Sequence, residues 1–113
     1  MKTKKELKDA YKQSKPTMGV FQIRNKVNGK VFIDSAVDIA GKQNRHRAEL
    51  RFIGHRNKAL QEDWKTYGEQ NFVFETLSEL EYQEGVNNYT RELKELEEMV
   101  IDDLNLNTDM KYN

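Results

Sequence analysis

Two apolar runs, Val20-Phe21-Gln22-Ile23 and Val31-Phe32-Ile33, flank the dipeptide Asn28-Gly29. β-Branched and aromatic side chains favour a pleated backbone, and Asn-Gly adopts the positive φ angles that a tight hairpin needs. The spacing predicts an antiparallel hairpin with a type I′ turn at Asn28-Gly29. Further along, Ser35 or Asp38 can cap a helix that runs to about Phe52 and is closed by Gly54. A second helix fits residues 57–66, where Ala59, Leu60 and Trp64 share one face and Gly68 stops it. Residues 72–77 alternate apolar and polar, which reads as a third strand. After a break at Gly85–Asn88, Leu93, Leu96, Val100, Ile101 and Leu104 recur at helical spacing over residues 89–104. Residues 3–14 hold good helix formers with a thin apolar face, ended by Pro16. Residues 105–113 read as an irregular tail.

The order of elements is therefore α-β-β-α-α-β-α. It predicts an α+β (mixed α/β) fold with a small, three-stranded, largely antiparallel sheet flanked by helices, plus an extra N-terminal helix. Residues 1–18 are expected to be a basic extension and residues 19–113 the domain itself. Phe21, Phe32, Trp64, Phe72, Phe74, Leu96 and Val100 are expected to pack together on one side of the sheet.

At 113 residues the chain fits one domain without staples. The absence of cysteine excludes disulfides, thiolate metal sites and cysteine nucleophiles. No apolar stretch follows the N-terminal lysines and none reaches the ~20 residues of a membrane span, so a cytoplasmic protein with no membrane contact is expected. The net charge of zero conceals a division. Residues 1–60 hold 15 lysines and arginines against 5 acidic residues, whereas residues 61–113 hold 4 against 14. A basic half points to a polyanion, nucleic acid first. The halves can equally neutralise each other within the fold or across a homodimer.

The stretch GVFQIRNKVNGKVFIDSAVD resembles the opening of the GIY-YIG nucleases: a Gly-Ile-Tyr strand, a turn often reading Asn-Gly-Lys, and a Tyr-Ile-Gly strand. Lys42 and His46 fall where the family has a helix bearing an arginine and, four residues on, a histidine. GHRNKALQEDWKTYGEQNFVFETLSEL looks like the segment found in phage and mobile-intron homing endonucleases of this family. RELKELEEMVIDDLN resembles its glutamate-bearing helix, and Tyr112-Asn113 its terminal Tyr-Asn. The likeness covers about residues 19–113 in order.

The resemblance implies metal-assisted phosphodiester hydrolysis, which needs a deprotonated water, a cation on the phosphoryl oxygens and a Lewis acid. It implies Glu97 as ligand of a divalent ion, Mg²⁺ or Mn²⁺. It implies Phe21, Phe32, Lys42, His46, His55 and Asn113 as the catalytic positions, His55 matching a second histidine of the homing branch. Three departures bear on activity. Phe21 and Phe32 stand where the two signature tyrosines belong, which keeps the rings and removes the hydroxyls. Loss of an acid–base group costs about 10²–10⁴ in rate. Lys42 replaces a bidentate arginine with a point charge, and Asp34 replaces the glycine after the second strand. For DNA, the basic stripe expected is Lys42, Arg45, Arg47, Arg51, Arg56 and Lys58.

Three readings follow from these residues, among them a purely protein-binding module whose acidic half mimics nucleic acid. The first is a DNA-binding protein with a degenerate nuclease site, acting as a regulator or as a phage-derived inhibitor through DNA or a protein partner. The alternative is an active divalent-metal-dependent DNA endonuclease in which His46 or a metal-bound water substitutes for the tyrosines.

Overall fold

A computed structural model describes residues 15–113. The expected helix at 3–14 lies outside the described residues. Strand β1 (Gly19–Asn25) pairs antiparallel with β2 (Val31–Ala36) on one side and β3 (Phe72–Glu79) on the other, giving a three-stranded sheet in the order β2-β1-β3. The helices are α1 (Ile39–Arg51), α2 (Lys58–Tyr67) and α3 (Thr90–Leu104). Of the two candidate caps for α1, Asp38 is the one used, its carboxylate accepting from the Gly41 amide at 3.0 Å. Asn57 caps α2 through the Leu60 amide at 2.9 Å, and Gly68 ends that helix at φ 87°, a left-handed position.

The hairpin turn differs from the expectation. Its closing bonds run from the Asn25 amide to the Lys30 carbonyl and from the Gly29 amide to the Asn25 carbonyl, so residues 26–29 form a four-residue loop. Only Gly29 has positive φ there, whereas a type I′ turn needs it at both central residues. The Asn25 and Asn28 side chains hold the loop instead, accepting from the amides of Val27 and Lys30 at 2.9 Å each.

Period-two alternation divides the sheet between two cores. Phe21, Ile23 and Phe32 face α1 and α2 and pack with Ile39, Leu50, Leu60, Trp64, Phe72 and Tyr112, with Phe74 against the same cluster. Val20, Val31 and Ile33 face α3, meeting Leu77, Leu96, Val100 and Ile101. The expected one-sided core is thus corrected: Leu96 and Val100 lie across the sheet from Phe21 and Phe32, because adjacent strand residues point to opposite faces. The C-terminal segment is also more ordered than a tail. Lys111 forms a parallel bridge with Val31, and the Tyr112 amide donates to the Val31 carbonyl at 2.8 Å. This covers the outer edge of β2.

Gly19 has a steric reason. A Cβ there would stand 2.0 Å from the Ser78 carbonyl oxygen, where β3 crosses close beside a register shift between Val20 and Phe21. Trp64 is buried and its ring centroid lies 5.1 Å from that of Phe72. Trp64→Ala should lower unfolding free energy by about 3–5 kcal/mol in chemical denaturation. An unchanged midpoint would show that α2 contributes nothing to this core.

Candidate active site

Alternation along β2 sends Phe32, Asp34 and Ala36 towards α1, and Ser35 towards α3. Helix α1 crosses above, and its i, i+4 spacing sets Lys42 and His46 one turn apart on the same face. Both reach Asp34. His46 Nε2 lies 2.9 Å from Asp34 Oδ2, and Lys42 Nζ donates to Asp34 Oδ1 at 3.2 Å and to the Ser35 carbonyl at 2.9 Å. The Ser35 amide adds a third donor to Asp34 at 2.8 Å. Burial by itself would raise the Asp34 pKa. The His46 bond, the Lys42 charge and the Ser35 amide outweigh it and hold the carboxyl below its ordinary range.

A histidine relay stands behind this carboxylate. His46 Nδ1 and His55 Nε2 are 2.8 Å apart, and the Asn57 backbone N–H donates to His55 Nδ1 at 3.0 Å. A backbone amide can only donate, so His55 carries its proton on Nε2 and gives it to His46 Nδ1. His46 in turn must carry its proton on Nε2, facing Asp34. All four ring nitrogens are engaged by protein groups, with both imidazoles neutral. Burial first, then the neighbouring His46, push the His55 pKa below its ordinary value. Gln61 fixes the surrounding backbone, accepting from the His55 amide at 3.1 Å and donating to the Leu50 carbonyl at 3.0 Å. The Phe21 and Phe32 rings meet His46 edge-on at 5.9 and 5.3 Å, and Phe32 meets His55 at 5.4 Å. Both phenylalanines are fully buried.

Across the sheet, Glu97 of α3 accepts from the Ser35 hydroxyl at 3.3 Å. Burial and then the Asp34 carboxylate raise its pKa. A half-buried carboxylate beside a hydroxyl and near a second carboxylate is a hard oxygen donor set that suits Mg²⁺ or Mn²⁺. A different group, His46, Glu49 and His55, brings three possible ligand atoms within 4.8 Å of one another. It fits a metal poorly. The Asn57 amide holds His55 in the tautomer whose Nε2 bears a proton, and Glu49 is bonded to Arg45 at 3.1 Å.

No protein-family model matches the sequence, and no curated protein matches it. Two solved structures do. The catalytic domain of homing endonuclease I-TevI superposes with a TM-score of 0.70 at 29% identity, covering 85% of this chain and 96% of that one. A glutamate-to-alanine mutant of the catalytic domain of intron endonuclease I-TevI also gives 0.70, at 28% identity over 86% of this chain and 92% of that one. This chain has a GIY-YIG-like fold.

On the GIY-YIG-like fold, Phe21, Phe32, Lys42, His46 and His55 come together around Asp34, and Glu97 approaches from the α3 side through Ser35. Asn113 sits at the edge of β2, its amide bonding both the carbonyl and the amide of Ile33 at 2.7 and 3.1 Å. It therefore steadies the strand that presents Asp34. The expected DNA-facing cations are unequally committed. Arg45 pairs with Glu49, Arg51 grips Glu69 with two bonds of 2.6 Å, and Arg47 lies over the Phe74 ring at 4.4 Å. Arg56 and Lys58 make no ion pair among the described residues. Lys42, Arg45, His46, Glu49 and Arg56 line a small surface cleft over the relay.

Sequence reasoning marked Asp34 as a departure and missed its role as the hub. It also missed Ser35, Gln61 and the Asn57 amide, whose functions depend on what folding brings beside them. Tyr112 was noted only as part of a terminal motif. Its hydroxyl donates to Asp63 at 2.6 Å and accepts from Asn25 at 3.1 Å, while burial pushes its pKa up to about 12.

The relay predicts a pH dependence. The folded His55 pKa lies below the ordinary 6.5, so just below that pH the unfolded chain binds a proton that the native protein does not. Stability contributed by neutral His55 is present above about pH 6.5 and is lost as pH falls towards the folded value. Thermal melts from pH 7.5 to 5.5 should show this loss, and His55→Gln should reduce the slope. An equal slope in the variant would exclude His55 as its source.

Proposed function

We propose that this protein binds DNA on a nuclease scaffold whose catalytic centre is closed by its own Asp34. The observation that carries the reading is the placement of Asp34. Its carboxylate takes the Lys42 ammonium and the His46 Nε2 proton, two groups that phosphodiester hydrolysis would need free for the phosphate and the attacking water. Neither His46 nitrogen has a lone pair available to accept a proton from water, and Phe21 and Phe32 offer no hydroxyl. A substrate phosphate approaching Lys42 would meet a carboxylate already holding it.

What remains suits binding. The cleft sets Arg45 and Arg56 beside the closed site, with Lys58 close in sequence to Arg56, and backbone phosphates are recognised by such cations. Likeness to the catalytic domain of a homing endonuclease supports DNA as the polyanion. A regulatory or inhibitory role through occupied DNA follows from binding without turnover. Such binding should weaken with salt, log Kd changing with log salt by about 0.9 per phosphate contact on duplex DNA.

The second reading, an active metal-dependent endonuclease, has one observation in its favour. Glu97 keeps an oxygen donor set with a raised pKa, where a divalent ion would relieve the charge shared with Asp34. Bound there, Mg²⁺ or Mn²⁺ would supply Lewis acidity, and the cleft cations would hold the phosphate.

Cleavage of supercoiled DNA with Mg²⁺ or Mn²⁺ separates the two readings. Wild type should stay near background. Asp34→Gly with Phe21→Tyr and Phe32→Tyr should raise nicking by about 10²-fold if acid–base function returns. Lys42→Arg should add to this through a bidentate phosphate contact, and Glu97→Ala should remove the gain. Efficient cutting by the wild type, abolished by Glu97→Ala, would overturn the closed-site reading.

A further inference from the structure

The loop that joins α1 to α2 carries Phe52, 84% exposed, and Ile53, 63% exposed. Helix α1 closes there through two bonds, from the Ile53 amide to the Leu50 carbonyl at 3.3 Å and from the Gly54 amide to the Glu49 carbonyl at 2.8 Å. This closure demands a left-handed residue at position 53, the usual place for glycine. Isoleucine occupies it at φ 59°, a region that β-branched side chains avoid. The glycine stands one residue later. Two local preferences are therefore broken at adjacent positions, an exposed aromatic and a strained aliphatic. Violations of that kind concentrate where a surface has a task.

The surroundings select the kind of partner. Arg51 precedes the pair and Arg56 and Lys58 follow it, and Arg56 also lines the cleft with Lys42 and Arg45. Among these cations Lys42 is held by Asp34, Arg45 by Glu49 and Arg51 by Glu69, while Arg56 and Lys58 make no ion pair among the described residues. An apolar protrusion framed by cations matches a ligand that has apolar faces between phosphates.

We propose that Phe52 and Ile53 form a wedge that enters a duplex between adjacent base pairs, while Arg45, Arg56 and Lys58 hold the flanking phosphates. Apolar side chains inserted at a base step replace part of the stacking they disrupt, and every base offers a face to the phenyl ring. The proposal rests on the DNA-binding reading and adds to it the element that deforms the duplex.

A duplex carrying 2-aminopurine, whose fluorescence rises on unstacking, tests it against the full-length protein. Wild type should bind at low salt and raise the fluorescence. Phe52→Ala removes an exposed ring, so the fold should persist by circular dichroism. The fluorescence rise should disappear and duplex affinity should fall by about tenfold, the scale of one lost stacking contact. Ile53→Gly should melt at a higher temperature yet unstack the probe less. Arg56→Glu with Lys58→Glu should abolish binding altogether. If Phe52→Ala binds and unstacks as wild type does, the wedge is wrong and the DNA reading survives. If wild type binds no duplex at low salt, both fall. Wild-type self-association that Phe52→Ala abolishes in sedimentation velocity, with duplex binding unaltered, would assign the patch to a second copy of the chain and overturn the wedge.

Discussion

One buried carboxylate organises the centre of this molecule. Asp34 is 9% exposed, and a charge in that position is tolerable only when its oxygens are satisfied. Lys42, His46 and the Ser35 amide satisfy them, and in doing so they draw the first two turns of α1 down onto β2. An asparagine there would keep shape but leave the Lys42 ammonium without its counter-charge. Glycine would release Lys42 and His46 together. The same contact that holds the helix on the sheet engages the Lys42 ammonium and His46 Nε2.

The shell behind Asp34 extends to the end of the chain. The Asn57 amide orients His55, which orients His46, which faces Asp34. Asn57 also caps α2 and, through its side-chain amide, donates to the Tyr112 carbonyl at 2.8 Å. Tyr112 and Asn113 in turn pair with Val31 and Ile33 on β2. A closed circuit of hydrogen bonds therefore ties the helix cap, the relay, β2 and the terminal residues. Each member restricts its neighbours' rotamers, as a well-supported site requires. In this protein the preorganisation serves an internal salt bridge.

The separation of charge along the chain is only partly cancelled by folding. Arg24 grips Glu75 and Arg51 grips Glu69, each joining the basic half to the acidic half. These pairs are exposed or nearly so, and such pairs contribute little and exchange readily with competing anions. The acidic residues of α3 lie across the sheet from the cleft, apart from Glu97 at the strand end. A cationic surface over α1 and the following loop thus survives the neutral net charge.

The sequence by itself determined the elements and their order. Val20, Phe21, Ile23 and Val31 to Ile33 could only be strands beside a glycine-bearing turn, and the leucines of α3 could only line one helical face. The resemblance it carries pointed to Phe21, Phe32, Lys42, His46, His55 and Glu97 as one set of positions, and folding brings the first five together around Asp34. It could not decide the turn type, since Asn28 keeps a negative φ once its side chain bonds the Lys30 amide. Nor could it decide which core residues share a face, because that depends on strand register. The role of Asp34 was settled only by tertiary structure. Whether a strand-end carboxylate meets solvent or a lysine and a histidine depends on the approach of α1, and no local pattern encodes that distance. The tautomers of His46 and His55 were equally beyond the sequence, because a backbone amide two residues away in the chain fixes them only after the loop has folded around it.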